Sequence, residues 1–91
     1  LDPKDVQTWY NKGSVLADLG KSEEAIGCYD KVIELDPKFA WAWINKGIAL
    51  RKLGKYKEAI ECYDKAIELD PKDALPWYNK GIALGKFGQM L

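Results

Sequence analysis

Carboxylates and thiols are the groups in this chain whose types and spacing could do chemistry. Glu58 with Glu61, and Asp30 with Glu34, stand about one helical turn apart. Two carboxylates so placed could share a proton or a cation. Lysines are interleaved with them, and the pattern is that of a solvated helix face with weak charge pairing along it. Cys28 and Cys62 are 34 residues apart in a chain without histidine. Two thiols are too few ligands for a metal site. A disulfide would need their Cα atoms within about 7 Å, so they are expected to serve as small, half-buried apolar residues. Ser14 and Ser22 are the only serines, and neither lies in the context of a nucleophile elbow. No glycine-rich phosphate loop appears. These residues point away from an enzyme, and no cofactor, catalytic residue or metal ligand is expected.

The elements that position these residues are written more than once. WYNKGSVLADLG at 9–20 returns as WINKGIALRKLG at 43–54 and as WYNKGIALGKFG at 77–88. Trp9, Trp43 and Trp77 keep the same 34-residue interval, as do Pro3, Pro37 and Pro71. Residues 6–39 laid over 40–73 agree at 21 of 34 positions, which makes a true internal repeat. Each full unit splits into two segments rich in helix-favouring residues. The first runs over about 7–19 and again 41–53, the second over about 22–35 and again 56–69. Trp43, Gly47 and Leu50 share one helical face, as do Ala59, Tyr63, Ala66 and Ile67. Gly20 and Gly54 stand where a helix would end in the left-handed conformation. LDPK ends the second helix, because proline disfavours a helical residue before it. Asp5 and Asp73 are expected to cap the following helices, whereas Phe39 in the same place cannot. Gly13, Gly47 and Gly81 cost about 1 kcal/mol each inside a helix. That cost makes sense where a neighbouring backbone fills the place of the missing side chain.

Length and charge bound the function. Ninety-one residues form at most one small domain, which leaves little room for an enzyme cleft. Net charge is zero, so no basic excess argues for nucleic acid or an anionic membrane. No apolar run approaches the roughly 20 residues of a membrane span. No signal peptide opens the sequence, and the cytoplasm is the default expectation. The opening LDPKD copies the internal LDPK and lacks a Met, which suggests a piece of a longer protein.

The pattern resembles the tetratricopeptide repeat. That signature places Trp, Gly, a large apolar residue, Ala, an aromatic, a small residue and Pro at set intervals. Here they are Trp43, Gly47, Leu50, Gly54, Ala59, Tyr63, Ala66 and Pro71, preceded by Trp9, Gly13, Leu16, Gly20, Ala25, Tyr29, Val32 and Pro37. One departure recurs. Lys12, Lys46 and Lys80 precede the motif glycines where the family usually has an apolar residue, and their stems are expected to lie over apolar neighbours with the charge in water. The resemblance implies an all-α, right-handed solenoid of antiparallel helix pairs, with about five helices in two and a half repeats. The units would be 6–39, 40–73, and a first helix alone in 74–91. It also implies a scaffold that binds a protein partner, a peptide or a helix, on a concave wall lined by the first helix of each unit. Family geometry sets Gln7, Tyr10, Asn11 and Ser14, then Trp41, Ile44, Asn45 and Ile48, then Leu75, Tyr78, Asn79 and Ile82 on that wall. Arg51, Lys52 and Lys86 lie one turn further on.

Charge gives the wall a sign. The segment Ala40 to Leu53 carries Lys46, Arg51 and Lys52 and no acid, whereas Tyr56 to Asp70 carries five acids against Lys57 and Lys65. A ligand with apolar anchors and acidic character is expected. Some family members clamp the acidic tail of heat-shock chaperones. The matching places here hold Tyr10, Ser14, Asn45, Leu75 and Asn79, of which only Asn45 fits, so no such clamp is expected. The alternative function is a structural segment that self-associates. Trp77, Leu84 and Phe87 would face a second helix that 74–91 does not contain, and such faces favour homo-oligomers.

Overall fold

The computed structural model describes residues 5–91. Pro3, the first of the periodic prolines, lies outside them. Five helices follow one another: α1 (Val6–Asp18), α2 (Ser22–Leu35), α3 (Ala40–Lys52), α4 (Tyr56–Leu69) and α5 (Ala74–Met90). Consecutive helices pack against each other throughout, and α1, α3 and α5 also touch edge to edge. The result is a slab of 43 × 28 × 17 Å, two helix layers thick at an interaxial distance of about 8–10 Å.

Local chemistry sets the helix boundaries. Asp5 accepts hydrogen bonds from the backbone N–H groups of Gln7 and Thr8, and Asp73 from that of Leu75, while Phe39 gives α3 no side-chain cap. Gly20 and Gly54 both have φ of +79°, and each turn closes through the next lysine, Lys21 N–H to the Leu16 carbonyl and Lys55 N–H to the Leu50 carbonyl. In the LDPK turns, Asp36 and Asp70 accept from the N–H groups of Lys38 and Lys72 at 3.2 Å. The carbonyls of Pro37 and Pro71 then accept from the indoles of Trp43 and Trp77, at 3.0 and 3.1 Å. This bond explains why a tryptophan recurs with the proline turn: it ties α3 and α5 to the turns that deliver them. The end of α5 departs from the pattern of α1 and α3. Gly88, the counterpart of Gly20 and Gly54, does not end α5, which continues to Met90. A glycine permits a left-handed stop without imposing one; the two stops also use the lysine bond, and Gln89 stands where that lysine would be.

Small residues and tyrosines make the interior. Ala25, Ala42, Ala49, Ala59, Ala66 and Ala83 are all buried, together with Tyr29, Tyr63 and Val32. The glycine notch is filled by a side chain and not by backbone, which corrects the expectation. A Cβ on Gly13 would lie 2.7 Å from Tyr29 Cε1, and one on Gly47 would lie 2.5 Å from Tyr63 Cε1. At Gly81 a Cβ would meet nothing within 4 Å, and Trp77 and Leu84 on the same helix are about half exposed.

The periodic lysines join neighbouring units. Lys46 on α3 meets Asp30 on α2 at 2.6 Å, and Lys80 on α5 meets Asp64 on α4 at 2.6 Å. Lys12 and Lys46 also set their Nζ atoms over the rings of Trp9 and Trp43, at 5.4 and 6.0 Å from the centroids; the charges of Lys46 and Lys80, expected in water, close ion pairs instead.

Candidate interaction wall

The edge formed by α1, α3 and α5 carries the residues that the sequence assigns to a binding wall. Asn45 donates to the Tyr10 hydroxyl at 2.8 Å, a bond between residues 35 apart that locks α3 beside α1. The Tyr10 ring is half-buried against Phe39 and Tyr29, with centroids at 5.1 and 6.0 Å. Asn11 is exposed and accepts from the Gln7 amide at 2.9 Å.

Exposure divides the remaining residues. Trp41 and Tyr78 are the open aromatics, 52% and 68% exposed, with Leu75 open to a lesser degree. Lys52 and Lys86 are exposed, and Ser14, Ile48, Ile82 and Arg51 are intermediate. Ile44 and Asn79 are folded in, at 1% and 8% exposure. Ile44 therefore has no surface to offer a ligand. Asn79 is orphaned: its Nδ2 is buried without a partner. The 34-residue period accounts for this. The residue that stands to Asn79 as Tyr10 stands to Asn45 is Ile44, which has no oxygen to accept the bond.

Behind the wall lie two residues that sequence reasoning left in the core. Burial pushes the Tyr29 phenol up, and a hydrogen bond with Ser14 acts against it. Burial likewise pushes the Tyr63 phenol up, against the hydrogen-bonding and charge influence of Arg51. Tyr63 Oη and Arg51 Nε are both buried, and neither closes a hydrogen bond of good geometry. The signal was present in the sequence: a tyrosine in a buried aromatic place carries a polar tip that must be answered. Arg51, Lys52 and Lys86 form no ion pair with a carboxylate among the described residues, whereas Lys46 and Lys80 do.

The chemistry-bearing residues behave otherwise. Glu58 and Glu61 line a separate cavity of about 170 Å³ with Trp43, Lys46, Leu50 and Cys62, none of which belongs to the wall. The Cys62 thiol is pushed up to about 11 by burial, the Cys28 thiol is raised for the same reason, and both are free. A thiol so raised is a poor nucleophile near neutral pH. No group of three metal-ligating side chains gathers among the described residues. No helix among them is long and apolar enough to cross a membrane.

Stacked antiparallel helix pairs, tied at the Pro37 and Pro71 turns by indoles and presenting a wall of first helices, define a helical-repeat interaction scaffold. The tetratricopeptide repeat profile matches residues 6–39 and 40–73, and a second profile of the same description matches 62–90. The chain belongs to the tetratricopeptide repeat family. It is similar to the TPR repeat-containing protein MJ0941 of Methanocaldococcus jannaschii, with 58% identity over 31 residues, 34% of this chain and 9% of that protein. Among solved structures it is similar to MamA, with a TM-score of 0.93 and 26% identity over 97% of this chain and 48% of that one. It is also similar to the second TPR of Spaghetti (RPAP3) bound to the HSP90 peptide SRMEEVD, with a TM-score of 0.90 and 28% identity over 97% of this chain and 82% of that one. The chain thus spans a small part of MJ0941 and about half of the MamA chain.

Proposed function

We propose that this chain holds an extended peptide or a helix against the wall of α1, α3 and α5, and that the ligand combines apolar anchors with acidic side chains. One observation carries the reading: Trp41 and Tyr78 are exposed on the same helices as Arg51, Lys52 and Lys86, three cations without a carboxylate partner among the described residues. Aromatics of this kind anchor interfaces, and unpaired cations beside them select the charge of the partner. The peptide bound by the second Spaghetti TPR supports a peptide as ligand. It does not support that same peptide here. The Asn45 amide is already engaged with Tyr10, and Asn79 is covered.

The test is a fluorescence titration against an array of N-acetylated decapeptides of mixed apolar and acidic composition. Trp41→Ala and Tyr78→Ala should each weaken binding about tenfold, and affinity should fall with salt. Binding that survives both substitutions and is indifferent to salt would refute the proposed wall. SRMEEVD should bind no better than a scrambled peptide, and micromolar affinity for it would overturn the exclusion.

A second reading has its own observation. On α5, Trp77 and Leu84 stand open beside the unfilled notch at Gly81, which favours association with a further helix, including that of a second copy. Light scattering over a wide concentration range separates the two readings. A constant mass near 10.3 kDa refutes self-association, and a mass that grows with concentration supports it.

A further inference from the structure

Arg51 is the one arginine of the chain, and its setting is unlike that of the cations around it. Lys46 is answered by Asp30. Lys52 and Lys86 are exposed to water. Arg51 is half-buried, its Nε is dry, and beside it lies the equally dry hydroxyl of Tyr63. Together these two side chains present five guanidinium N–H donors and one phenolic O–H, against the tyrosine oxygen as sole acceptor. A buried donor needs a hydrogen-bond partner, and none closes with good geometry on Arg51 Nε or Tyr63 Oη among the described residues.

The first unit shows that this is no general feature of the stack. There the buried tyrosine, Tyr29, has the neutral hydroxyl of Ser14 as its polar neighbour. One period later Ser14 becomes Ile48, and Ala17 becomes Arg51. The exchange replaces a neutral hydroxyl beside the tyrosine with a donor-rich cation. Arg51 follows Ile48 by one turn and Ile44 by two on the same side of α3, next to Lys52, whose counterpart one period on is Lys86. Positive charge at this end of the wall is therefore confined to α3 and α5, since the counterpart of Lys52 on α1 is Asp18.

We propose that Arg51, positioned by Tyr63, is a carboxylate-binding site, and that it takes an acidic side chain or the terminal carboxylate of the peptide held on the wall. The inference rests on the peptide-binding reading given above. A carboxylate supplies four lone-pair sites and matches the guanidinium edge in bidentate geometry. Lysine at the same place would keep the charge and lose that match.

The experiment uses the full chain, labelled with ¹⁵N. Its single arginine gives one Nε–Hε resonance, so the site reports without ambiguity. The probes are the tightest decapeptides from the array, each prepared with glutamate and with glutamine, and each with a free and an amidated carboxyl end. The expected result is about tenfold tighter binding of the glutamate or free-acid form. The Arg51 Nε–Hε signal should shift and its exchange should slow with that form alone. Arg51→Met, which keeps the apolar stem, should abolish the preference while the glutamine peptide binds as before. Tyr63→Phe should reduce the preference about threefold and speed Nε–Hε exchange, without changing affinity for the glutamine peptide. A preference that persists in amidated peptides identifies a side-chain carboxylate as the occupant, and one confined to the free acid identifies the chain end. Equal binding of all four forms, or a preference untouched by Arg51→Met, overturns the site while leaving the wall in place. Absence of binding by every peptide in the array overturns the wall and the site together.

Discussion

Replacing Gly47 by alanine tests the packing that sets the two helix layers together. The added Cβ would stand 2.5 Å from Tyr63 Cε1, 2.9 Å from Cδ1 and 3.0 Å from Cζ. To recover a contact of 3.4 Å the ring must retreat by about 0.9 Å. Tyr63 is 0% exposed, so that retreat pushes into close-packed neighbours. Overpacking of this kind costs about 1–3 kcal/mol, and the helical preference of alanine over glycine returns about 1 kcal/mol. Because the fully buried ring has no free space to retreat into, the upper part of that range applies, and the net expectation is a loss of about 1–2 kcal/mol. Gly81 supplies the internal control. The same substitution there meets open space and should gain about 0.5–1 kcal/mol. Urea unfolding followed by far-UV circular dichroism measures both. For a domain of this size each kcal/mol corresponds to about 4–8 °C in melting temperature, so the two variants should move in opposite directions by easily resolved amounts. If Gly47→Ala proves neutral or stabilising, the notch does not set the layer spacing. Combining it with Tyr63→Leu should recover part of the loss, because contacting residues are not additive.

Other consequences use the same assay. Lys46→Met and Asp30→Asn should each cost about 0.5–1 kcal/mol, since the pair is only partly shielded from water; a coupling that survives 1 M salt undiminished would refute the electrostatic account. Asn79→Leu should stabilise by about 1 kcal/mol by removing a buried amide without a partner, whereas Asn45→Leu should destabilise by about as much through loss of the Tyr10 bond; equal effects would sink the distinction. The alkaline limit follows from the raised thiol and phenol groups. Burial holds the folded Cys62 at about 11 and raises Cys28, Tyr29 and Tyr63. Protons are then bound more tightly in the folded state, so this contribution is complete at neutral pH and is lost as pH rises from about 8.5, the ordinary thiol value, through 11. Stability that stays flat from pH 7 to 11 would contradict it. A thiol reagent at pH 8 should react with Cys62 far more slowly in the folded chain than in urea.

Much of the fold was legible because its causes are local. The 34-residue period, the glycine stops, the aspartate caps and the proline turns each depend on residues within a few positions of one another. The predicted ranges for the first four helices agree with the structure to within a residue. The end of α5 was not legible, because Gly88 allows a turn that the rest of the chain does not enforce. The wall was legible only in outline. Family geometry placed Ile44 and Asn79 beside Trp41 and Tyr78, yet stacking covers the first two and leaves the others open. Periodicity names equivalent positions, but burial depends on what the neighbouring unit puts opposite each of them.

The sequence by itself determined the helices, the turns between them, the family and the polarity of charge between first and second helices. Tertiary structure alone decided which groups meet. Asp30 reaches Lys46, Tyr10 reaches Asn45, and Tyr63 reaches Arg51, across separations of 16, 35 and 12 residues. It also decided which equivalents fail to find a partner, as Asn79 does before Ile44. The physical reason is that a helix folds on contacts within one or two turns, whereas a partner for a buried polar group is delivered only when separate helices stack. Each unit is a near copy of the last, and the few positions where the copies differ decide what the wall can hold.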